Sequence, residues 1–292
     1  MPSGWTRTSD LGSSLDDVRS SARIVRKFEG VMPQLVDKET LGEGIGLSWQ
    51  EITYAQLTAQ AITESTDLDN PQQVSDSLLT ITPTVVGIET FILDRVRARI
   101  SKKGFAKLGS LAQNAIQRKK DEDGLTVLSS GATTAEPGAG TTLTSGYIAA
   151  SSYNITSNTT EAGMKPIRCV LHGFQLKDLY DELVAGVGTY VVDDGPTARV
   201  FSNKFDLPIA GTEVYEDGNI TIDSADDAVG GVFAKEAIIL VQGRAPRVVD
   251  VRNEARGGGG WHVYHYDEYA YGQRNAGVWD YRMKSDATAP TS

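Results

Sequence analysis

Residues 100–128 read ISKKGFAKLGSLAQNAIQRKKDEDGLTVL, and the organisation of the chain turns on this stretch. Phe105, Leu108, Leu111 with Ala112, and Ala115 with Ile116 recur at steps of three and four, which lays one apolar stripe along a helix. Lys102, Lys103, Lys107, Gln113, Gln117 and Lys120 take the other face. Asp123-Gly124 predicts the stop, since glycine favours the position just past a helix end. Taken alone, this is a surface helix lying on a core. Its setting makes it an organiser: a long β-patterned excursion precedes it, a separate α/β region follows it, and broad strands close the chain.

Upstream, residues 41–92 change to period two. Ile45, Leu47 and Trp49 alternate, as do Val86, Ile88, Thr90 and Ile92, with a looser strand over residues 52–58. Between them ESTDLDNPQQVSDS (64–77) has the Asp, Asn, Pro and Ser content of a loop tip. Neither arm is continuously apolar, so the pattern predicts an extended hairpin projecting from a core. A lone hairpin is marginal in water and implies a partner surface. Before it, residues 1–13 read as a flexible arm, and Leu15, Val18, Ala22, Val25 and Phe28 predict an amphipathic helix ending near Gly30. A short helix at a terminus must dock its stripe on the body or on a neighbour.

Downstream, Gly131 to Gly146 is a small-residue connector and residues 147–155 are helix-like. The buried strand Ile167–Leu171 leads into a helix carrying Phe174, Leu176, Leu179 and Leu183, which ends at Gly186 to Gly188. Strands are expected over 207–216 and 237–242, with an acidic loop at 217–228. Residues 247–251, 262–271 and 277–283 are β-branched and aromatic-rich, separated by Gly257 to Gly260 and by Gln273 to Asn275.

Composition sets limits around this frame. The 292 residues lie near the upper limit of one core, and 40% hydrophobic with 23% charged residues is ordinary for a globular protein. No run approaches the roughly 18 apolar residues of a membrane helix, and MPSGWTRTSDLGSS lacks the apolar core of a secretory signal. The single Cys169 excludes an intrachain disulfide and sits in an apolar run, where a buried thiol is expected. A net charge of −10 argues against nucleic acid coating the whole surface, while leaving room for a local basic patch.

No motif carries catalysis. His262 and His265, three apart on a strand, fall on opposite faces and cannot share a metal. Gly257 to Gly260 lacks the Lys-Ser/Thr of a phosphate loop, which leaves a hinge or a tight approach between subunits. His172 lacks a nucleophile elbow and reads as a hydrogen-bonded structural histidine. The acidic pairs Asp193-Asp194 and Asp226-Asp227 read as solvated loops. Arg19, Arg23, Arg26 and Lys27 form a helix face suited to a neighbour's acids.

The order of arm, hairpin, isolated long helix, α/β lobe and returning strands resembles the major capsid proteins of tailed bacteriophages, the Hong Kong 97-like shell fold. Local sequences carry the likeness: TPTVVGIETFILDRV (82–96) is similar to the segment leading from the extended loop to the spine helix. PIRCVLHGFQLKDLYDEL (166–183) is similar to the strand–helix unit of the axial domain. PIAGTEVYED (208–217) and DAVGGVFAKEAIILV (227–241) are similar to the strands that complete that domain. The resemblance implies an α+β fold with an N-terminal arm (1–40), an extended loop (41–82), a peripheral domain with the spine helix (83–145 and 243–292) and an axial domain (146–242). It implies a structural protein, not an enzyme, that forms pentamers and hexamers of an icosahedral head around phage DNA without reading its sequence. No cofactor and no membrane are expected. Scaffold, portal and decoration proteins are the expected partners, with synthesis in the bacterial host cytoplasm and residence in the virion. An arm starting near Met1 suggests a separate scaffold or a processed chain. Arg19, Arg23, Arg26, Phe28, Trp49, Tyr54, Leu68 and Asp69 are the expected contacts between subunits. An encapsulin-like compartment subunit is the alternative within this fold. Outside it, a carboxylate-dependent hydrolase would use Asp226 and Asp227, and a carbohydrate-binding module would use Tyr264, Tyr266, Tyr269 and Tyr271.

Overall fold

A computed structural model describes residues 30–59, 61–62, 71–99, 102–187, 208–255 and 257–291; side chains within 102–108 and 183–187 are outside the description. The expected N-terminal helix, with Arg19, Arg23, Arg26 and Phe28, and the loop residues Leu68 and Asp69 lie outside the described residues.

The element order is α1 (Met32–Leu35), β1 (Asp37–Thr40), β2 (Trp49–Tyr54), β3 (Asp76–Ile81), β4 (Thr84–Leu93), α2 (Asp94–Arg99) and α3 (Lys102–Leu128). Then come α4 (Ser145–Thr156), β5 (Ile167–Leu171), α5 (Gly173–Val187), β6 (Thr212–Glu216), β7 (Asp227–Ala234), β8 (Ile238–Asn253), β9 (Gly260–Gln273) and β10 (Asp280–Asp286). Helices and sheets are segregated along the chain, an α+β architecture. One sheet has the order β1-β8-β9-β4, a second β10-β7-β5-β6, and β2-β3 stand alone as a two-stranded ribbon.

The 27-residue helix α3 links these parts. Among its described side chains the buried positions are Ala112, Ile116, Lys120, Asp121, Gly124, Leu125 and Leu128, a stripe that widens toward the C-terminal end. Leu111, expected on the apolar stripe, is 41% exposed. The helix does not stop at Asp123-Gly124. A Cβ on Gly124 would lie 3.0 Å from Met32 Cβ and 3.1 Å from Tyr271 Cζ, so the glycine serves the close approach of helix to strand β9 and to α1. Leu125 and Leu128 then enter a core shared with Ile148, Ile155, Leu171, Val232, Phe233, Ile238, Leu240 and Met283. Gly231 faces Leu128, where a Cβ would come within 2.6 Å of Leu128 Cγ.

Strand β7, offered by the resemblance of 227–241 although residue pattern alone runs an acidic loop up to 228, lies inside the second sheet, antiparallel to both β10 and β5. The loop 217–226 before it packs inward, with Asp217, Asn219 and Ile220 all buried. Asp227 is 1% exposed, accepts from Gly140 N at 2.7 Å and pairs with Lys284 at 3.2 Å, so it is a structural carboxylate within the chain. The connector after α3 packs too: Leu143 is fully buried, and Glu136 takes Arg282 in a two-pronged pair at 2.7 and 2.8 Å. Gln175, fully buried, donates to Ala228 O, Met283 O and Ser285 Oγ and staples α5 to β7 and β10.

The expected strands 237–242 and 247–251 are one strand, β8, with register shifts on either side of Arg244. Pro246 lacks a donor and is accommodated by the irregularity, past the end of the β1 pairing at residues 239–242. Gly257, Gly258 and Gly259 have φ of +62°, +85° and +98°, which suits them to the turn between β8 and β9. Strand β10 pairs with β7, so residues 280–286 belong with the sheet of 167–234 and depart from an expected division that kept 243–292 together.

Candidate assembly surface

The hairpin's strands are six residues each and run antiparallel from Trp49↔Ile81 to Tyr54↔Asp76. They are not the expected arms: Ile45 and Leu47 lie outside any strand, and residues 86–92 belong to β4, which pairs with β9 in the first sheet. The alternation of Val86, Ile88 and Ile92 therefore reports a half-covered sheet strand. No third strand joins β2-β3 among the described residues. Ile52 is 53% exposed, Tyr54 68% and Leu78 57%, and the flanking Leu57, Ile62 and Val74 are exposed as well. Ile52 is paired with Leu78 and Tyr54 lies two residues on, so all three share one face, which is apolar and wet, the condition expected of a segment covered by something else.

The base of the ribbon is fixed firmly. Ile81 packs with Ile239 and Val241, with Trp49 and Leu79 against them. Gly272 makes the room, since a Cβ there would come within 2.3 Å of Ile81 Cδ1. Arg274 closes the joint: its Nε donates to Glu51 on β2 at 2.7 Å, and its Nη1 to Asp37 on β1 at 2.7 Å and to Glu236 O at 3.1 Å. Its guanidinium also lies over the Trp49 ring, 6.0 Å from the centroid. Trp49, an expected contact residue, is therefore half-buried within its own chain, whereas Tyr54 stands exposed at the far end. There Tyr54, Gln56, Asp76, Thr160 and Glu161 line an open cleft of about 520 Å³. Sequence reading missed the clamp because Arg274 sits in a short separator with no periodic signal.

A second joint holds residues 30–32, where the N-terminal segment enters. Asp121 of α3 accepts from Met32 N at 3.0 Å and from Asn219 Nδ2 at 2.9 Å. Asp217 accepts from Val31 N at 3.3 Å and from Asn219 N at 2.8 Å. A Cβ on Gly30 would overlap the Asp121 carboxyl at 2.0 Å, so only glycine passes here. Burial pushes the Asp217 carboxyl up to about 7; the Asn219 N–H opposes this and the adjacent Asp121 adds to it. Arg168 Nη1 donates to Leu35 O, fastening α1 to β5.

Lys120, expected on the exposed face, is buried. Its Nζ donates to Gln242 Oε1 at 2.7 Å and Asp267 Oδ2 at 3.1 Å and lies 4.7 Å from the Tyr269 ring centroid. A lysine four residues after Ile116 falls on the same stripe, and a buried acid from β9 is what makes that tolerable.

The chemistry weighed against assembly does not come together. Tyr264 and Tyr266 stack on the exposed side of β9 with His262, ring planes within 4° and 11° of parallel, so that the rings shield one another. Tyr269 and Tyr271 lie on the other side against α3, which splits the four-tyrosine platform between two faces. His265 is buried while His262 contacts Glu89 and Asn253, on opposite sides of the strand. His172 Nδ1 accepts from Phe174 N, and burial lowers its pKa although Glu216 pulls the other way. Burial likewise pushes the Cys169 thiol up. Among the described residues no group of three or more His, Cys, Asp or Glu is placed to hold a metal, and no helix is long and apolar enough to cross a membrane.

Sequence comparison finds no matching family model and no matching curated protein. Structure comparison does. A Mycobacterium phage Che8 structure matches with TM-score 0.71 at 13% identity, covering 94% of this chain and 98% of that one. The capsid of cyanophage P-SCSP1u matches at 0.69 and 13%, covering 97% and 96%. The head of Helicobacter pylori bacteriophage KHP40 matches at 0.69 and 12%, covering 98% and 100%. Across nearly its whole length, and with little shared sequence, the chain has the fold of the tailed-phage major capsid proteins.

Proposed function

We propose that the chain is the major capsid protein of a tailed phage, assembling into pentamers and hexamers that close as a shell around double-stranded DNA. The observation that carries this reading is the two-stranded ribbon β2-β3, with one face apolar and exposed and its packing confined to its base, on a chain whose fold matches phage capsid structures over nearly their whole length. A ribbon of this kind is stable where a neighbouring subunit covers it. In this reading residues 41–82 are the extended loop and residues 1–40 the arm that enters through the Asp121–Asp217 joint. The sheet β1-β8-β9-β4 with α3 is the peripheral domain. The sheet β10-β7-β5-β6 with α4 and α5 is the axial domain, which takes in residues 280–286. Scaffold, portal and decoration proteins are the partners such a shell uses, and the chemistry is structural, not enzymatic. An encapsulin-like compartment differs in its contents, and nucleic acid extracted from purified particles separates the two.

The test is the double variant I52S/L78S. It is expected to leave the subunit's unfolding free energy within about 0.5 kcal/mol of the parent, as surface substitutions do, while particle yield by sedimentation and negative-stain microscopy falls at least tenfold. Undiminished particle yield would refute the ribbon as an assembly element. A parent chain that stays monomeric under every assembly condition would sink the shell reading itself.

A further inference from the structure

The joint that receives residues 30–32 packs two acids against each other. Asp121 of α3 and Asp217, directly after β6, are both fully buried. Four N–H groups reach them, from Val31, from Met32, and from the backbone and side chain of Asn219. The two carboxyls are also hydrogen-bonded to each other. Ionised carboxylates only accept, so a bond between two of them needs a proton on one. Among the described residues no basic side chain pairs with either acid. Lys120, beside Asp121 in sequence, turns to Asp267 and Gln242, Lys119 pairs with Asp123, and Arg168 of β5 is taken by Leu35 O and Glu213. Residues 30–36 carry no titratable side chain. From β9 the Tyr271 phenol lies near enough to feel the charge of Asp121. Its hydroxyl is buried with no hydrogen-bond partner, and burial, with Asp121 adding, pushes its titration up, so it stays neutral around pH 7.

We infer that this pair is a proton latch on residues 30–36: the seated segment closes over one shared proton, and loss of that proton lifts Gly30 to Met32 off α3. The inference stands without the shell reading; within it, the latch gives the root of the N-terminal arm two states, seated and free. The geometry says which part moves. Both carboxyls sit on fixed elements, since the Lys120–Asp267 pair ties α3 to β9 beside Asp121, and Asp217 N donates to Leu171 O at the end of the β5–β6 pairing. The segment is the cover. Gly30 lies so close that an added Cβ would come within 2.0 Å of Asp121 Cγ. A second negative charge in this site repels the first in a low dielectric, and water relieves it once the cover lifts. The proton belongs to Asp217, whose carboxyl burial pushes up to about 7, against the Asn219 N–H and with Asp121 adding. Lifted and wet, the same group returns toward its ordinary 3.8. The seated state therefore holds a proton that the lifted state releases, and seating weakens as pH rises from about 4 to about 7.

The experiment follows amide hydrogen exchange in the unassembled full-length subunit by NMR between pH 5 and pH 8, with the intrinsic pH dependence of exchange divided out. In the parent, protection of Val31 and Met32 is expected to fall about tenfold for each pH unit up to about 7 and then to level off. Val232 and Phe233 of β7 should stay about a hundredfold or more better protected at every pH, because the latch opens without the fold. D217N, whose amide can donate to Asp121 without titrating, is expected to hold protection at Val31 and Met32 within about threefold across the range. If D217N does not fold by circular dichroism, D121N takes its place with the same expectation. Protection in the parent that ignores pH overturns the inference, and so does a parental pH dependence in the variant. Exchange at Val31 and Met32 as slow as in β7 also overturns it, since the segment would then open only with the whole fold. Calcium added at pH 8 should leave the segment lifted; full recovery of protection would make a cation the occupant of the pair and overturn the latch. Shell formation plays no part in the measurement, so its failure bears on the shell reading alone.

Discussion

Lys120 and Asp267 show what burial demands of a single side chain. The Asp267 side chain is fully buried and that of Lys120 nearly so, and each is held by the other and by Gln242. Removing one partner of such a pair leaves a charge in a low dielectric, at a cost of about 3–5 kcal/mol, whereas replacing both with apolar groups is near neutral. K120M is therefore expected to lower unfolding free energy by about that amount, and K120M/D267L to recover most of it; equal losses in both variants, by urea denaturation, would contradict the pairing. Asp217 makes a pH-dependent counterpart. Its carboxyl titrates at about 7 in the folded chain against 3.8 as the ordinary value. The folded state thus keeps a proton that the unfolded chain has released, and stability attributable to this group is full below pH 4 and declines as pH rises to about 7. D217N is expected to flatten that decline, seen as a smaller difference in melting temperature between pH 5 and pH 8 than the parent shows. Lys120 was misread from sequence because helical spacing places it on the buried stripe while residue type places it outside; the deciding partner, Asp267, lies 147 residues away.

At the scale of elements, the long helix was legible because its apolar repeat and length exceed any strand, and β5, α5 and β9 were legible for the same reason of pattern. Strand β7 was legible only through the resemblance of 227–241 and not by pattern, because DAVGGVFA carries two glycines that lower its β-propensity, and those glycines are demanded by neighbours the sequence does not display: Val170 O at 2.3 Å and Leu128 Cγ at 2.6 Å from the missing Cβ positions. Gly124 has the same origin. Its role in α3 was mistaken for a stop because a glycine required by packing and one required by a helix end look alike in one sequence. G124L should therefore destabilise the fold by about 1–3 kcal/mol or more through overpacking against Met32 and Tyr271. A helix-ending role would instead leave the side chain in open space, and a change below about 0.5 kcal/mol would favour that older reading.

On the scale of the molecule, one hydrophobic core joins the second sheet to the C-terminal half of α3 and the inner half of β8, while the ribbon is tied in through the small cluster around Ile81. Such unequal packing predicts unequal local stability. In the unassembled subunit, amide hydrogens of residues 50–54 and 76–80 are expected to exchange orders of magnitude faster than those of β5 and β7, and to become protected on assembly. Uniform protection before assembly would show that the ribbon needs no covering. The candidate surface was legible as a whole and not in its parts: period two announced a projecting hairpin, but its strand limits, its anchoring arginine and the inward role of Trp49 depend on contacts between segments as far apart as residues 37 and 274.

Arg274 gives the ribbon a fulcrum. Six paired residues extend about 20 Å from it, so the ribbon is a lever held at one end by the Ile81 packing and by two carboxylates, Glu51 and Asp37, and not by a continuous sheet. A lever held at one end leaves the angle of its free length to whatever covers it while its hairpin stays whole. In the shell reading proposed above, one polypeptide would thereby meet neighbours at the differing slopes of a closed polyhedron.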